Sequence, residues 1–257
     1  MRRRAAWLIA FTVACALAAV LLPRVPQPVG YHDFADHRTL FGIGNFLDVA
    51  SNLGFLLAGI AGLLVAAVRR RAFEFRAERW PYAAFFLGLV LTSIGSGYYH
   101  LAPDNARLVW DRLPMTIAFA GLLSSQIVDR VSVRAGVALL VPMIAIGAAS
   151  VLYWGWTERA GQGNVLPYAI LQGYAAVVLL MVTMLFSSRY TRGRDIYYVL
   201  GWYVVSKALE ALDAGIFDIG HAVSGHTLKH LAAAASGFVA CWMLARRELV
   251  RPSVAPG

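Results

Sequence analysis

The sequence predicts an all-α fold, a polytopic membrane helical bundle with a seven-helix core and one extra N-terminal hydrophobic helix. The chain has 257 residues, of which 59% are hydrophobic and only 14% charged, and its mean hydropathy is +0.62. Soluble domains carry about 25% charged residues. Long apolar segments also recur along the chain, and arginine residues concentrate in alternate connections between them. Together these observations exclude an ordinary soluble domain.

Eight segments are apolar enough to form helices that cross a bilayer, which takes about 20 residues each. They divide the chain into an N-terminal membrane anchor or signal-anchor at residues 1–24, an exported loop segment at 25–45 and a seven-transmembrane domain at 46–257. The predicted helices are residues 5–22, 46–68, 80–101, 113–129, 135–154, 165–186, 195–213 and 226–245.

The first hydrophobic segment has two interpretations. Arg2, Arg3 and Arg4 precede it, as in the basic region of a secretory signal peptide. No small-x-small cleavage site follows the apolar run before Pro23, which favours a retained anchor. In either case we expect the following segment, residues 25–45, to be exported.

Arginine placement predicts the orientation of the bundle. If the N-terminus is cytoplasmic and every segment crosses, 16 of the 21 arginines fall on the inner side. The positive-inside rule describes such an excess. We therefore expect both termini in the cytoplasm. The Arg- and Ala-rich composition favours a GC-rich bacterium and hence the bacterial cytoplasmic membrane. Topology also explains the net charge of +9, and no nucleic-acid-binding motif accompanies it.

Five polar residues fall at the outer ends of predicted helices. Ser96 and His100 lie near the end of the third helix, Asp111 follows His100 by eleven residues, and His226 and His230 open the eighth helix. An i,i+4 spacing puts two side chains on one face of a helix. The predicted topology puts all five at one depth, toward the periplasmic side. Ionisable groups inside membrane helices are costly, so such a set indicates a functional site.

The residue types in this set predict a zinc site. Zinc binds imidazole readily, and a catalytic zinc uses three protein ligands and leaves a position for water. His100, His226 and His230 would be those ligands. Asp111 would exchange a proton with the water, and Ser96 would hydrogen-bond the water or a developing oxyanion.

Two other functions remain open on these residues. In the first, the protein is a non-catalytic receptor or sensor with a structural zinc site, which Asp111 or Ser96 would close as a fourth ligand. In the second, His100 and His230 bind a b-type haem from facing helices. An open fourth position on zinc favours hydrolysis over the structural role.

Other polar residues accompany the predicted site. Lys207 and Glu210 are expected to neutralise one another on the seventh helix, and Lys229 is expected to point away from the ligand histidines, toward water or a headgroup. A polar cluster opens the second helix, where it either supports the ligand histidines or hydrogen-bonds between helices. This cluster consists of Asn45, Asp48, Ser51 and Asn52. The remaining histidines, which we expect to be loop residues, are His32, His37 and His221.

The motif S-x3-H, an aspartate eleven residues after that histidine, and H-x3-H in the last helix resemble the alkaline ceramidase family. This family belongs to a superfamily of seven-helix membrane hydrolases that also includes adiponectin-receptor-like proteins. The stretch N-F-L-D-V-A-S-N-L at residues 45–53 is similar to the family's first-helix signature. The resemblance spans about residues 31–245 and implies a bacterial member with one added N-terminal helix.

The resemblance implies a function for the predicted site. It implies a zinc-dependent lipid amidohydrolase that cleaves the amide bond of ceramide or a related N-acyl lipid, with a place in sphingolipid or related lipid metabolism. Zinc would bind His100, His226 and His230, with Ser96 and Asp111 beside the activated water. The partner is then a membrane lipid substrate, which we expect to enter laterally from the outer leaflet.

The resemblance also bears on calcium, which eukaryotic members of the family bind close to zinc through an acidic N-terminal segment. The comparable residues here are Asp33, Asp36 and Asn45. Arg38 stands about where a neutral ligand is expected, and the connecting stretch is shorter. Calcium takes about six to eight oxygen ligands, which these residues and backbone carbonyls barely supply. Calcium is therefore a secondary expectation, beside the simpler interpretation that Asp33 and Asp36 cap or solvate a loop.

Overall fold

The regular structure of the protein is helical, which confirms the predicted all-α class. The computed structural model describes residues 2–250, and within that range the only β-type pairing is two isolated bridges. The α-helices are α1 (Arg2–Leu21), α2 (Phe46–Ser51), α3 (Leu53–Val68), α4 (Arg79–Leu101), α5 (Asn105–Arg130), α6 (Val133–Arg159), α7 (Leu166–Leu185), α8 (Ile196–Ala211), α9 (Asp213–Gly220) and α10 (Gly225–Arg246).

Six helical spans are long and apolar enough to cross a membrane, so the chain is a multi-pass membrane protein. These spans are α1, α2 with α3, α4, α6, α7 and α10. The other two predicted segments also form helices, but α8 has only 16 residues and α5 contains several charged residues. The eight-crossing topology, its orientation and the division at residues 24 and 45 therefore stay predictions.

One predicted membrane segment is divided into two helices. Asn52 separates α2 from α3 within the span that was predicted at 46–68. The short α2 buries the polar residues Asp48 and Ser51, whereas the longer α3 is almost wholly apolar. The division therefore separates a polar turn, which faces the interior of the bundle, from a lipid-compatible helix.

Side-chain caps fix the starts of two helices that carry candidate site residues. At the start of α5 the Asp104 carboxylate accepts a hydrogen bond of 2.7 Å from the backbone N–H of Arg107. At the start of α10 the Ser224 hydroxyl accepts one of 3.0 Å from the backbone N–H of Thr227. Such caps satisfy N–H groups that the first helical turn leaves without partners. The cap at Ser224 sets the position of the turn that carries His226.

Small residues bring α4 and α5 into close contact. A Cβ added at Gly88 would lie 2.5 Å from the backbone nitrogen of Ala118, and one at Gly121 would collide with the backbone of Phe85. Close approach of this kind is typical of helix pairs in membranes, where small residues let two backbones meet. A Cβ at Gly95 would likewise collide with the backbone carbonyl of Trp110, and this contact holds the end of α4 against the start of α5. Ser96 and Asp111 are therefore held on neighbouring helices.

The N-terminal helix α1 lies at the side of the bundle along α7. Phe11 stacks on Tyr174 with 6.0 Å between the ring centroids, and the Thr12 hydroxyl lies 3.0 Å from the Tyr174 hydroxyl. The Arg4 guanidinium donates a hydrogen bond of 2.7 Å to the backbone carbonyl of Leu185. None of the most hydrophobic stretch of α1 is buried, as expected for a helix added to the outside of a bundle.

Candidate metal centre

Three histidine side chains converge at one end of the bundle. The ring centroids of His100 and His226 are 4.9 Å apart, those of His100 and His230 are 4.9 Å apart, and those of His226 and His230 are 5.0 Å apart. One nitrogen from each ring lies within 4.8 Å of the other two, and all three residues are buried. The structure thus brings together the three predicted ligands, in a group that could hold a metal ion.

The spacing of the ring nitrogens fits a metal ion. His100 Nε2 lies 3.4 Å from His226 Nε2. Two nitrogens bound at about 2.0–2.1 Å to one tetrahedral zinc would be about 3.4 Å apart. Three positively charged rings so close together would repel one another, so the group suits neutral imidazoles around a cation. Imidazole donors suit zinc, copper, iron and nickel, and the metal's identity is therefore a separate question.

The arrangement of the rings contradicts the haem interpretation. His100 and His230 meet edge to face, at an interplanar angle of 67° and a centroid distance of 4.9 Å. A haem iron with two histidine ligands has one ring on each face of the porphyrin. The contact between the two rings leaves no room for a porphyrin plane, so this pair does not bind haem in that way.

Two helix ends position the three rings. His100 lies in the last turn of α4, while His226 and His230 lie one turn apart on the same face of α10. The end of α4 is tied down by Asn45, whose side-chain amide donates a hydrogen bond of 3.0 Å to the His100 carbonyl. Asn45 itself has a left-handed backbone with φ of 48°, a conformation that asparagine tolerates better than most residues.

The polar cluster that opens α2 supports the candidate ligands. Ser51 Oγ lies 2.8 Å from His230 Nδ1 and donates a hydrogen bond of 3.0 Å to the Asp48 carbonyl. With Nδ1 of His230 engaged there, its Nε2 is left for the centre of the group. The Asp48 carboxylate accepts a hydrogen bond of 2.6 Å from Thr227, which lies beside His226 on α10. By contrast, Nδ1 of His100 has no hydrogen-bond partner among the described residues.

Asp213 holds His226 in place, a role that the sequence did not reveal. Its Oδ1 accepts a hydrogen bond of 2.7 Å from the backbone N–H of His226, and its Oδ2 accepts one of 2.9 Å from the backbone N–H of Ala35. One carboxylate at the start of α9 thus joins α10 to residues 25–45. The sequence signal was weak, because Asp213 differs from other helix-end aspartates only in its tertiary contacts.

The segment at residues 25–45 covers the histidine group. Phe34 is only 4% exposed, and its ring centroid lies 4.7 Å from that of His100 and 4.3 Å from that of His226. His32 anchors the same segment, since its Nδ1 lies 2.8 Å from the Tyr99 hydroxyl and its Nε2 lies 2.9 Å from Asn105 Oδ1. The segment is therefore packed onto the helices rather than loose.

A cavity of about 360 Å³ opens beside the histidine group. Ser96, Asp111 and His230 form part of its polar wall. Ser96 is buried and Asp111 is half-buried, and both side chains line this cavity. Most of the remaining wall is apolar and includes Phe85, Leu89, Phe119, Leu122, Leu179 and Leu200. The cavity is thus amphipathic, with the predicted catalytic pair at its polar end.

Two lysines and a glutamate also line this cavity. Lys207 and Glu210 form the predicted ion pair. Lys229 Nζ lies 2.7 Å from Glu210 Oε1, with the lysine side chain 19% exposed. The prediction that Lys229 points away toward water or a headgroup is therefore wrong. Lys229 contacts Glu210 on α8, and the spacing of residues along α10 alone does not predict a contact with another helix.

The residues considered for calcium have protein partners. Both carboxylate oxygens of Asp36 bind Arg38, at 2.8 Å from Nε and 2.6 Å from Nη2, and this guanidinium lowers the pKa of Asp36. Asn45 uses its amide nitrogen on His100, and its Oδ1 lies 3.3 Å from His37 Nδ1. Asp33 caps the short helical turn that precedes it. These contacts favour the simpler interpretation of the loop, and calcium stays a prediction.

Of the other histidines, His221 is exposed in a left-handed turn after α9, as expected of a loop residue. His37 is also exposed in the 25–45 segment.

Comparison of the chain with protein-family models and with curated proteins finds no match. The family resemblance therefore rests on the spacing of the site residues.

Proposed function

We propose that the protein is a zinc-dependent hydrolase that cleaves the amide bond of ceramide or a related N-acyl lipid. The observation that carries this proposal is the position of the buried three-histidine group. One of the three, His230, lines an amphipathic cavity, and Ser96 and Asp111 line the same cavity. A lipid amide has the matching shape, with a polar carbonyl group next to a long apolar chain.

The donor set is appropriate for a catalytic metal. Within residues 2–250, the group of possible ligands from histidine, cysteine and carboxylate side chains contains the three histidines and no fourth member. Three protein ligands leave a coordination position open, which is the arrangement of catalytic rather than structural zinc sites. A zinc ion bound there would polarise the amide carbonyl and acidify a water molecule.

Asp111 and Ser96 supply the proton transfers and the hydrogen bonds. Asp111 faces the cavity beside His230, where its carboxylate accepts a proton from the attacking water and passes it to the amine that leaves. The Ser96 hydroxyl, on the same wall of the cavity, donates its hydrogen bond to the oxygen on which negative charge develops. The nearby Lys229 and Glu210 neutralise one another and contribute to the polar wall.

The apolar part of the cavity receives the acyl chain. Its lining comes from α3, α4, α5, α7, α8 and α10 in the middle of the bundle. An acyl chain that moves from the bilayer into this lining exchanges one apolar surrounding for another, so it enters without exposure to water and its methylenes add little binding free energy. The substrate therefore reaches the metal from within the bilayer, and under the predicted orientation it comes from the periplasmic leaflet of a bacterial cytoplasmic membrane.

The alternative is a non-catalytic receptor or sensor whose zinc is structural. It needs a fourth protein ligand, and Asp111 is not a member of the group of converging ligand atoms. Ser96, the other residue considered as a fourth ligand, lines the cavity together with Asp111. These two positions favour the hydrolase.

The test is to incubate the purified protein with a panel of N-acyl lipids, including ceramide and N-acylethanolamines, and to measure release of the fatty acid. We expect hydrolysis of at least one amide, loss of activity with a chelator, and recovery when zinc is returned. One bound zinc per chain with no hydrolysis of any amide would contradict the enzymatic proposal and favour the receptor or sensor.

A further inference from the structure

Arg112 is a buried cation that lacks an acidic partner. Its side chain is only 4% exposed. Its Nη2 donates a hydrogen bond of 2.8 Å to Gln27 Oε1, whereas Nη1 is buried and has no hydrogen-bond partner in the described range. None of the ion pairs formed within residues 2–250 includes Arg112.

Three aromatic rings hold the Arg112 guanidinium in place. Its Cζ lies 4.3 Å from the ring centroid of Trp154, 5.0 Å from that of Tyr168 and 5.3 Å from that of Tyr31. Aromatic faces attract cations and offset part of the cost of burying one. They contact the faces of the guanidinium, however, and do not accept the in-plane N–H bonds that Nη1 can donate. The group is thus fixed in position with donor capacity left over.

The cavity beside the histidine group has three cations in its wall. Arg112 lines that cavity together with Gln27 and Tyr31, which lie in the 25–45 segment that covers it. The two other cations in the cavity wall, Lys207 and Lys229, share one carboxylate, that of Glu210. Arg112 is therefore the cation of the cavity wall that has no acid opposite it within the described residues.

We propose that Arg112 binds an acidic group on the amphiphile that occupies the cavity. The ligand chemistry is a carboxylate or phosphate attached close to the polar end of an acyl or alkyl chain. A planar guanidinium pairs with both groups through parallel N–H bonds. Arg112 and Asp111 are consecutive residues of a helix and therefore point about 100° apart. An acid bound to Arg112 can thus stay clear of the Asp111 carboxylate.

If the proposed hydrolase function also holds, the acid site specifies the substrate class. In that respect the inference rests on the proposed function. The cleaved amide would carry its acid on the amine side, as in an N-acyl amino acid or an N-acyl aminoalkyl phosphate. Hydrolysis would then release a fatty acid and a small zwitterion. Binding of an anionic amphiphile, by contrast, does not require any hydrolysis.

Binding is tested with three probes that contain no amide bond, so that an amidase does not cleave them. These are hexadecyloxyacetate, hexadecyl phosphate and neutral hexadecyloxyethanol, titrated into the full-length protein in dodecyl maltoside. We expect at least one anionic probe to bind about tenfold or more tightly than the neutral one, the scale of a charged hydrogen bond. The two anionic arms distinguish a carboxylate ligand from a phosphate ligand.

Two variants connect the preference to the residue. Arg112→Gln should bind all three probes about equally, and Arg112→Lys, which keeps the charge but not the planar donors, should retain part of the preference. Arg107→Gln removes the same charge from a half-buried position on α5 that does not line the cavity, so it should behave like wild type.

Two outcomes would overturn the proposal. One is wild-type protein that binds the neutral probe as tightly as the acids, which applies even if Arg112→Gln does not fold. The other is folded Arg112→Gln that keeps the full preference, because the acid would then be bound elsewhere, for example by the metal. A preference lost in Arg112→Gln, in a protein that hydrolyses no amide, would support the acid site and contradict only the hydrolase function.

Discussion

The two ends of the bundle both bury polar side chains, but they combine them in opposite ways. At the end that contains the start of α4, unlike groups meet. Arg247 Nη1 lies 2.5 Å from Asp129 Oδ2, and the Tyr82 hydroxyl donates a hydrogen bond of 2.6 Å to the same oxygen. Nearby, Arg189 Nη2 lies 2.9 Å from Glu78 Oε1. Each buried charge named here has an opposite charge in contact.

At the other end of α4, like groups meet. His100, His226 and His230 direct nitrogens toward one another, with no carboxylate among them. Acidic residues such as Asp48 and Asp213 are close, but they bind hydroxyl and backbone N–H groups around the histidines. A protein gains little by burying three imidazoles together unless a cation joins them. The comparison indicates that the first end stabilises the fold and that the second could hold a metal ion.

The largest expected effect is on the histidine end. His226→Ala removes one of three ligands, and two imidazoles do not hold zinc securely against water. We expect metal content to fall from about one ion per chain to near zero, measured by elemental analysis after dialysis. His221→Ala, which changes an exposed histidine, should retain the metal. Full occupancy in His226→Ala would remove this residue from the ligand set.

The next largest effect is expected on stability, at the end of the bundle where Arg247 and Asp129 meet. Arg247→Met leaves Asp129 buried without its cation, which typically costs about 3–5 kcal/mol. We expect a clearly lower thermal unfolding midpoint in detergent, while the folded fraction still binds metal. Arg246→Met is the matched control, because that neighbouring arginine is exposed. A loss of metal from folded Arg247→Met would show that the two ends are not separate in function.

A somewhat smaller effect is expected from the proposed proton carrier. Asp111→Asn keeps the size of the side chain but cannot accept and return a proton, which should slow amide hydrolysis by about 10²-fold or more. Metal content should not change, and that separates this variant from His226→Ala. Asp218→Asn, at an exposed position, controls for loss of a negative charge. Unchanged turnover in Asp111→Asn would exclude the residue from the mechanism.

The smallest effect tests the support of a ligand. Ser51→Ala removes the oxygen that holds His230 Nδ1, and loss of such outer partners typically weakens metal affinity by about 10–100-fold. Competition with a chelator of known affinity would measure the change. Ser150→Ala is the control, since both serines are buried in helices and donate to the carbonyl three residues earlier. Equal metal affinity in the two variants would mean that Ser51 does not orient the ring.

The helices and the meeting of the three histidines at one end of the bundle were predictable because they depend on local patterns. Hydropathy located every membrane-length helix, and i,i+4 spacing put His226 and His230 on one face. Placing His100 at the same end required only the alternation of crossing direction. These features follow from the period of the helix and the thickness of the bilayer, which a single sequence expresses directly.

The contacts that complete the site were not predictable in this way. Asp213 reaches Ala35 across 178 residues, and Phe34 lies on two of the histidine rings. Lys229 turns to Glu210, and Arg112 lies among aromatic rings instead of water. Each of these contacts depends on the orientation of a helix about its own axis or on the position at which the 25–45 segment packs. Spacing within one helix carries no information about either.

The Phe34 ring has a consequence for how fast an ion is exchanged. It lies over His100 and His226, and Asp213 fastens the adjacent Ala35 to the same helix as His226. An ion that leaves on the side of this ring, and not through the cavity that His230 lines, escapes only when the segment lifts. Removal by a chelator should then proceed at the frequency of that lifting, independent of chelator concentration once it is in excess. Replacing the ring with a smaller side chain would turn a slow release into a fast one without altering a single ligand.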